Sequence, residues 1–555
     1  MLKKTNIDFI IISHSEVFDY SSYYKMPLDR VELFRPLVQL KMIYHFGGFV
    51  SQLDILNKLT FGTFFHEANF EDKRKMLSVW NLPSFNGMLA INNLLEDDLN
   101  CKLINNFDSE IDFLIQFGKD METPIIGVST TFILRWQEVG RICKEIKKHL
   151  PNAIIILGGA FVNDQFLQKK TDLFFKYLKK YQVSYIIHSF NSESDLKELI
   201  KCIKTNSDPK KVNNLAYIDE NGQFINTKAV WNEPKLFIPK KSWSELYYPH
   251  MGETLQLRTL SGCPFSCAFC TYPTTAGKFK TSDVEGFREQ MDEISKISEI
   301  KSIILIDDTP NVPLKRFRKL VDVLKEYNFK WYSFLRAQYM DDQLAKDMAE
   351  SGCDGVYLGI ESANDKVLEN MNKKARVKDY KEGVELLNKY GITVFAAFVI
   401  GFPGEDEQSI QDNIDFIEET GLDFYSLKEF YYMHTAPIHK KKEKFGLDGF
   451  GNVWTHNSMS SVEAAEQKLK IFHSVKSVPC VDDDSGLWYL AYLRGQGFSW
   501  EEIKKIQQLM NEMMIQDNNN DFKSKDNLIE ELNGVLLKSK YYKMKKGTSE
   551  IECAN

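Results

Sequence analysis

Short apolar runs alternate with stretches that carry an apolar stripe at helical spacing along most of the chain. In the first part, to about residue 235, Ile7–Ile12 is a β-branched run that ends in polar Ser13-His14-Ser15. Further strands are expected near Lys102–Asn106, at Pro124–Thr131, at Ala153–Leu157 and at Ser184–Ile187. The strand at Pro124–Thr131 ends in Ser129-Thr130-Thr131 and that at Ala153–Leu157 runs into Gly158-Gly159. Helices fall between them, one over Gly87–Leu95, one with the stripe Trp136, Val139, Ile142 and Ile146, and one over 193–203. Residues 20–80 are an aromatic-rich insertion with no clear period. Strand–helix alternation implies an α/β fold with a parallel sheet, whose ligands sit at the carboxyl ends of the strands.

The second part, 236–475, repeats the alternation with strands at Leu255–Thr259, Ser302–Ile306, Lys330–Leu335, Gly355–Leu358, Thr393–Ile400 and Phe424–Glu429. Helices are expected at Lys315–Tyr327, Asp341–Glu350 and Val377–Tyr390. Six βα units are what a partial (β/α)8 barrel shows, and residues just past each strand then face its active site. Asp307-Asp308, Arg336, Glu361-Ser362, Gly401 and His434 occupy such positions. The third part, 476–555, is helical and then a lysine-rich tail. Trp500–Gln516 is an amphipathic helix, with Ser499 as N-cap and Glu502 completing a capping box; Asn518–Asp521 breaks it.

Composition changes little in this picture. Hydrophobic residues at 43% and charged residues at 26% are the balance of a globular protein. The longest strongly apolar run, near Thr393–Phe402, falls well short of the roughly 20 residues of a membrane span. The first residues lack a signal-peptide pattern, so a cytoplasmic location without membrane partners is expected. A net charge of −7 argues against nucleic acid as the main partner. The basic runs Lys440–Lys444 and Lys538–Lys546 read as solvated surface or tail. Of nine cysteines, Cys101, Cys143, Cys202, Cys353, Cys480 and Cys553 stand singly, as packing or surface residues do.

The other three form Cys263-Pro-Phe-Ser-Cys267-Ala-Phe-Cys270, directly after an expected strand. Thiolates suit iron–sulfur clusters or zinc. Structural zinc takes four ligands, normally in two pairs, and no second pair lies within 80 residues. Ordinary electron-transfer clusters also use four cysteines, whereas three leave one iron open to a small molecule. The C-x3-C-x2-C spacing closely resembles that of radical S-adenosylmethionine (SAM) enzymes. The resemblance implies a 4Fe-4S cluster on Cys263, Cys267 and Cys270, with SAM chelated at the open iron. It further implies that Phe269 abuts the adenine and that Asp307-Asp308 lies near the methionyl amine. Gly359-Ile360-Glu361-Ser362 corresponds to the stretch beside ribose and methionine, Arg336 to a partner of the carboxylate, and Val399–Glu405 with Gly401 to the turn bordering adenine.

Gly127-Val-Ser129-Thr130-Thr131 and Leu157-Gly158-Gly159 resemble the flavodoxin-like (Rossmann-type) cobalamin-binding domain, in which such strand ends border a slot for the cofactor's nucleotide tail. Ser189–Ser194 resembles that domain's next loop, with Glu193 retained. The D-x-H-x-x-G loop that gives cobalt a histidine is missing: His45-Phe-Gly-Gly has Ile43 where Asp is required, and His14 lacks the pattern. Both read as ordinary histidines. Cys270–Lys278, Asp307–Phe317, Gly352–Ser362 and Trp454–Met459 resemble the PhpK-type group, which takes its name from a P-methyltransferase. Trp454 and His456 then either line the substrate side or close the barrel as a structural loop.

The resemblance as a whole implies a cobalamin-binding domain over 1–235, a partial (β/α)6 TIM-type barrel over 236–475 and a small helical region over 476–555. It implies a cobalamin-dependent radical SAM methyltransferase acting on carbon or phosphinate phosphorus of a small natural-product-type molecule, fed by an electron donor such as flavodoxin or ferredoxin. Tyr431, Tyr432 and His434, past the sixth strand, are the candidates for positioning substrate or moving a proton. The alternative reading keeps the radical chemistry but ends in rearrangement, oxidation or sulfur insertion.

Overall fold

The computed structural model describes residues 7–16, 21–82, 84, 87, 90, 94, 99–133, 135–234, 236, 253–481 and 486–537. The expected helix over Gly87–Leu95 lies largely outside them, as do Lys538–Lys546 and Cys553. Contacts divide the chain into two compact units. The first comprises Met1–Phe18, Asn69–Cys263 and Tyr272–Ile300; the second comprises Asp19–Ala68, Pro264–Thr271 and Lys301–Asn555.

The first unit is built on β1 (Phe9–His14), β2 (Cys101–Asn106), β3 (Ile125–Ser129), β4 (Ile154–Gly158), β5 (Tyr185–Ile187), β6 (Leu215–Ile218) and β7 (Phe224–Asn226). They form one sheet in the order β2-β1-β3-β4-β5-β6-β7. The first five pair in parallel, and β6 and β7 extend the sheet antiparallel. The parallel order 2-1-3-4-5 is that of flavodoxin-like folds, whose switch point lies between β1 and β3. Every residue of β1 is buried, as in a sheet covered on both faces. Ile10, Ile12, Val128, Ile155 and Leu157 face one side, where α1 (Phe107–Lys119) and α2 (Trp136–His149) bury their apolar stripes. The expected stripe of α2 is the buried one, joined by Cys143. Helices α3 (Ala160–Leu167), α4 (Thr171–Tyr181) and α5 (Glu193–Thr205) complete the layers, and β8 (Thr254–Leu257) leads toward the cysteines.

In the second unit β9 (Ser302–Leu305), β10 (Lys330–Leu335), β11 (Cys353–Glu361), β12 (Thr393–Ile400) and β13 (Phe424–Glu429) pair in chain order, all parallel. The helices between and after them are α6 (Leu314–Leu324), α7 (Asp342–Glu350), α8 (Val377–Lys389), α9 (Glu407–Glu419) and α10 (Ser461–Ser474). With β8 of the first unit, all six expected strands are present, and the five of the second unit form the wall of a partial barrel. β11 runs to Glu361, three residues past its expected end, because a register shift between Gly359 and Glu361 prolongs the pairing with β12.

Behind the wall come α11 (Gly486–Gly495), α12 (Trp500–Asn518) and α13 (Asp526–Leu536). Ser499 and Glu502 form the expected capping box. Trp488 of α11 packs on Phe334 at 5.4 Å, and Trp500 packs on Tyr332 and Phe424 at 6.3 and 5.9 Å. The insertion is more ordered than its lack of period implies. Met42–His45 and Gly48–Ser51 form a hairpin, followed by a helix over Gln52–Phe61 that Ser51 caps. The Asp517 carboxylate accepts from the Tyr44 N–H at 2.7 Å, and Lys525 Nζ donates to Tyr44 O at 3.0 Å and to Asp517 at 2.7 Å.

Candidate functional site

The carboxyl ends of β3, β4 and β5 border a cavity of about 100 Å³ within the first unit. Phe9, Ile11, Ile156 and Ile187 give it apolar walls, while Ser129, Thr131, Asn191, Ser192, Glu193 and Arg258 give it polar ones. Such a slot fits a flat heteroaromatic ring carrying a polar tail. Ser129 Oγ and Thr131 Oγ1 are 3.2 Å apart. Thr130, between them, does not line the cavity. Its N–H and hydroxyl both donate to Gly158 O, at 2.6 and 2.9 Å, and so tie the end of β3 to that of β4. A Cβ on Gly158 would meet only Ser192 Oγ and Ile187 O, at 3.8 and 3.9 Å, so this residue borders open space. Gly159 has φ +112°, and a Cβ there would stand 2.9 Å from the Thr130 and Thr131 nitrogens, so the turn requires glycine. Glu193 opens α5, where a carboxylate suits the helix N-terminus. Asn191 and Ser192 reach the slot from the Ser189–Ser194 loop, whereas Arg258 belongs to no motif, was missed by sequence reading and reaches the slot through folding.

His14 ends β1 fully buried between the rings of Trp80 and Phe132, at 5.4 and 5.3 Å. Burial lowers its pKa to about 3, so it is neutral. His45-Phe-Gly-Gly is the hairpin turn of the insertion, with Phe46 and Gly47 both at positive φ, and not a strand-to-helix loop.

Pro264–Thr271, which carries Cys267 and Cys270, belongs to the second unit and is held there by its backbone, while Cys263 belongs to the first. Ala268 N–H donates to Met371 O at 2.7 Å, and Ala268 O accepts from Ile438 N–H at 2.8 Å. Asn372 Nδ2 donates to Ser266 O at 2.8 Å. Cys267 is buried, whereas Cys263 and Cys270 are partly exposed. Among the described residues no three His, Cys, Asp or Glu side chains are gathered closely enough to hold a single metal ion. The thiolates of a four-iron cluster bind different irons and so span a wider space, and the soft donor set in one loop fits that group.

Phe269 meets Phe402 edge-on at 6.3 Å, with Lys373 Nζ 5.9 Å from its ring. Lys373 forms a buried ion pair with Glu361 at 2.8 Å, and Glu361 sits at φ +65°, the strained end of the β11 bulge. Arg336 is buried, its guanidinium 3.7 Å from the Phe265 ring centroid and bonded to Lys373 O. Its Nε has no hydrogen-bond partner, a donor left for an anion. Asn311 fixes the Arg336 backbone through both its N–H and its C=O. Arg336, Glu361, Phe269 and the cysteine loop are thus brought together, with Lys373 as the hub that sequence reading missed. Ser362 is buried beside Glu361; Asp307 is buried and Asp308 exposed past β9.

Gly401 turns the end of β12 at φ +90°, with its space closed by Ala464 and Trp454. The buried Glu405 carboxylate accepts from the Gly401 and Phe402 N–H groups, yet burial pushes its pKa up to about 8. His456 donates to Gly401 O at 3.0 Å and stacks on Trp454 at 5.0 Å, while the Trp454 indole donates to Phe430 O. This pair braces the turn, as a structural closing loop does. Past the sixth strand the three candidates separate. Tyr431 is half exposed, and exposed His434 bonds to Gly449 O. Tyr432 is buried with its hydroxyl 2.6 Å from His439 Nδ1, and burial raises its pKa. His439 is the partner that spacing did not reveal.

Residues 257–417 match the family model of the radical SAM superfamily. Among curated proteins the chain is 25% identical over 350 residues to the uncharacterized methyltransferase PH0819 of Pyrococcus horikoshii, covering 61% of this chain and 74% of that one. It is 28% identical over 184 residues to bacteriochlorophyllide d C-12(1)-methyltransferase of Chlorobaculum tepidum, covering 32% of this chain and 40% of that one. Its fold is similar to that of TsrM from Kitasatospora setae, a radical SAM methyltransferase solved with cobalamin and a [4Fe-4S] cluster (TM-score 0.53, 16% identity, 65% of this chain and 72% of that one). It is similar also to the cobalamin-dependent SAM radical enzyme OxsB (TM-score 0.54, 17% identity, 81% and 80%).

Proposed function

We propose that this chain is a cobalamin-dependent radical SAM methyltransferase. One observation carries the reading: a cavity at the strand ends of a 2-1-3-4-5 sheet stands in the same chain as a three-cysteine loop inside the matched radical SAM region. When bound, the cluster supplies one electron to SAM and cobalamin carries the methyl group. The protein's own part is to hold, orient and exclude water. Arg336 offers its free Nε to the SAM carboxylate, and the Glu361–Lys373 pair fixes the polar end of the pocket beside Phe269. The Gly401–Glu405 turn presents an apolar edge for adenine, with Glu405 protonated and so without charge. In the first unit Ser129, Thr131 and Glu193 rim the slot that takes the nucleotide tail, and Gly158 leaves room for it. The methyl acceptor is a small natural-product-type molecule, at carbon or at phosphinate phosphorus; the four stretches that resemble the PhpK-type group support this. Tyr432 with His439 is the nearest proton-handling pair past the sixth strand.

The test is anaerobic reconstitution with iron, sulfide and hydroxocobalamin, followed by metal analysis and assay of SAM products. Bound cobalamin with equimolar 5′-deoxyadenosine and S-adenosylhomocysteine is expected. No bound cobalamin would overturn the methyltransferase reading, and 5′-deoxyadenosine without S-adenosylhomocysteine would favour radical chemistry of another outcome.

A further inference from the structure

The two segments that clamp the cysteine loop both continue into exposed lysines. Ile438, whose N–H holds Ala268 O, is followed two residues on by Lys440 and then by Lys441, Lys442 and Lys444, all exposed. Met371, whose carbonyl takes the Ala268 N–H, is followed by Asn372 on Ser266 and then by exposed Lys374. Lys442 stands 3.8 Å from exposed Glu443. Lys440, Lys441, Lys444 and Lys374 are exposed and make no ion pair among the described residues, Lys444 Nζ lying 4.9 Å from the Phe445 ring. This concentration of positive charge stands on a chain whose net charge is −7. From Lys440 to Cys267 the connection runs through His439 and Ile438, across one hydrogen bond of 2.8 Å, and through the Ala268 peptide. A short bonded route from a charged surface to a redox loop is what electron delivery needs.

We infer that Lys440–Lys444 with Lys374 is the docking surface for a small acidic one-electron carrier protein of the flavodoxin kind. This rests on the radical SAM reading and adds to it the place where the electron enters. The carrier's anionic flavin hydroquinone gives up one electron and becomes the neutral semiquinone. That electron reaches the cluster and then the sulfonium of SAM, whose carbon–sulfur bond breaks to methionine and the 5′-deoxyadenosyl radical. One electron is consumed for each SAM cleaved. Opposite charge steers such an encounter and fixes its register, and salt weakens it.

The test uses reconstituted holoenzyme bearing Lys440→Glu, Lys441→Glu and Lys444→Glu together, with a Lys→Gln triple variant as the milder change. Flavodoxin binding, read by flavin fluorescence without turnover, is expected to weaken at least about tenfold at low salt, with the Gln variant intermediate and the difference shrinking as salt rises. Flavodoxin-driven SAM cleavage should slow in parallel, while cleavage driven by reduced methyl viologen stays unchanged. Unchanged flavodoxin affinity and rate would overturn the inference. So would equal loss with both reductants, or a loss confined to binding of single-stranded RNA or anionic vesicles. If the unaltered enzyme cleaves no SAM with methyl viologen, the radical reading itself fails, and the salt-dependent binding distinguishes that failure from this one.

Discussion

Burial holds the Glu405 carboxyl protonated to about pH 8, because two backbone N–H groups do not offset the loss of water around it. In the unfolded chain the same group releases its proton near the ordinary glutamate value of 4.5. Between these values the native state binds more protons than the unfolded state, so stability is fully present below about 4.5 and declines as pH rises toward 8. The whole effect is on the order of 5 kcal/mol. Glu405→Gln keeps an acceptor for the Gly401 and Phe402 N–H groups and removes the titration. The stability of the unaltered protein relative to the variant, read as the difference of their denaturant midpoints, should therefore decline from pH 5 to 9 while titrations common to both cancel; parallel curves would sink the account. At the slot, Gly158→Val adds atoms where only van der Waals contacts of 3.8 and 3.9 Å await a Cβ. The fold should survive, while hydroxocobalamin, read from its visible spectrum, binds at least about tenfold more weakly.

Capping and strand signals are local, which is why α12 and its Ser499–Glu502 box were legible to within two residues at its end. The insertion was illegible for the opposite reason. Its hairpin is ordered by residues more than 470 positions away, through Asp517 on the Tyr44 N–H and Lys525 on Tyr44 O, and no window of sequence contains both. The Asp517–Lys525 pair is itself buried, with side chains 7% and 0% exposed, and burial raises the Asp517 pKa. Removing one partner from such a pair leaves a charge without compensation. Lys525→Met should cost about 3–5 kcal/mol in chemical denaturation, and adding Asp517→Asn to it should recover part of the loss. A loss below about 1 kcal/mol would show that the hairpin is held by its aromatic contacts with Phe522 instead.

At the scale of the molecule, the α/β pattern gave both sheets and the cysteine spacing pointed to the loop that lies inside the matched radical SAM region, since periodicity and spacing are properties of the chain itself. What remained hidden were partners made by folding: Lys373 on Glu361, His439 on Tyr432, and Arg258 at the slot. The slot is built only from residues of the first unit, whereas the loop from Pro264 to Thr271 is held by Met371, Asn372 and Ile438 of the second. Two sites with separate supports should fail separately. A variant with Cys263, Cys267 and Cys270 all replaced by Ala should lose iron, sulfide and SAM cleavage, yet bind hydroxocobalamin within about twofold of the unaltered protein. Gly158→Val should do the reverse, keeping iron, sulfide and 5′-deoxyadenosine formation while S-adenosylhomocysteine formation falls at least about tenfold. Loss of cobalamin from the cysteine variant would mean that the slot depends on the loop for its shape, and the assignment of the nucleotide tail to the strand ends of the first unit would have to be given up.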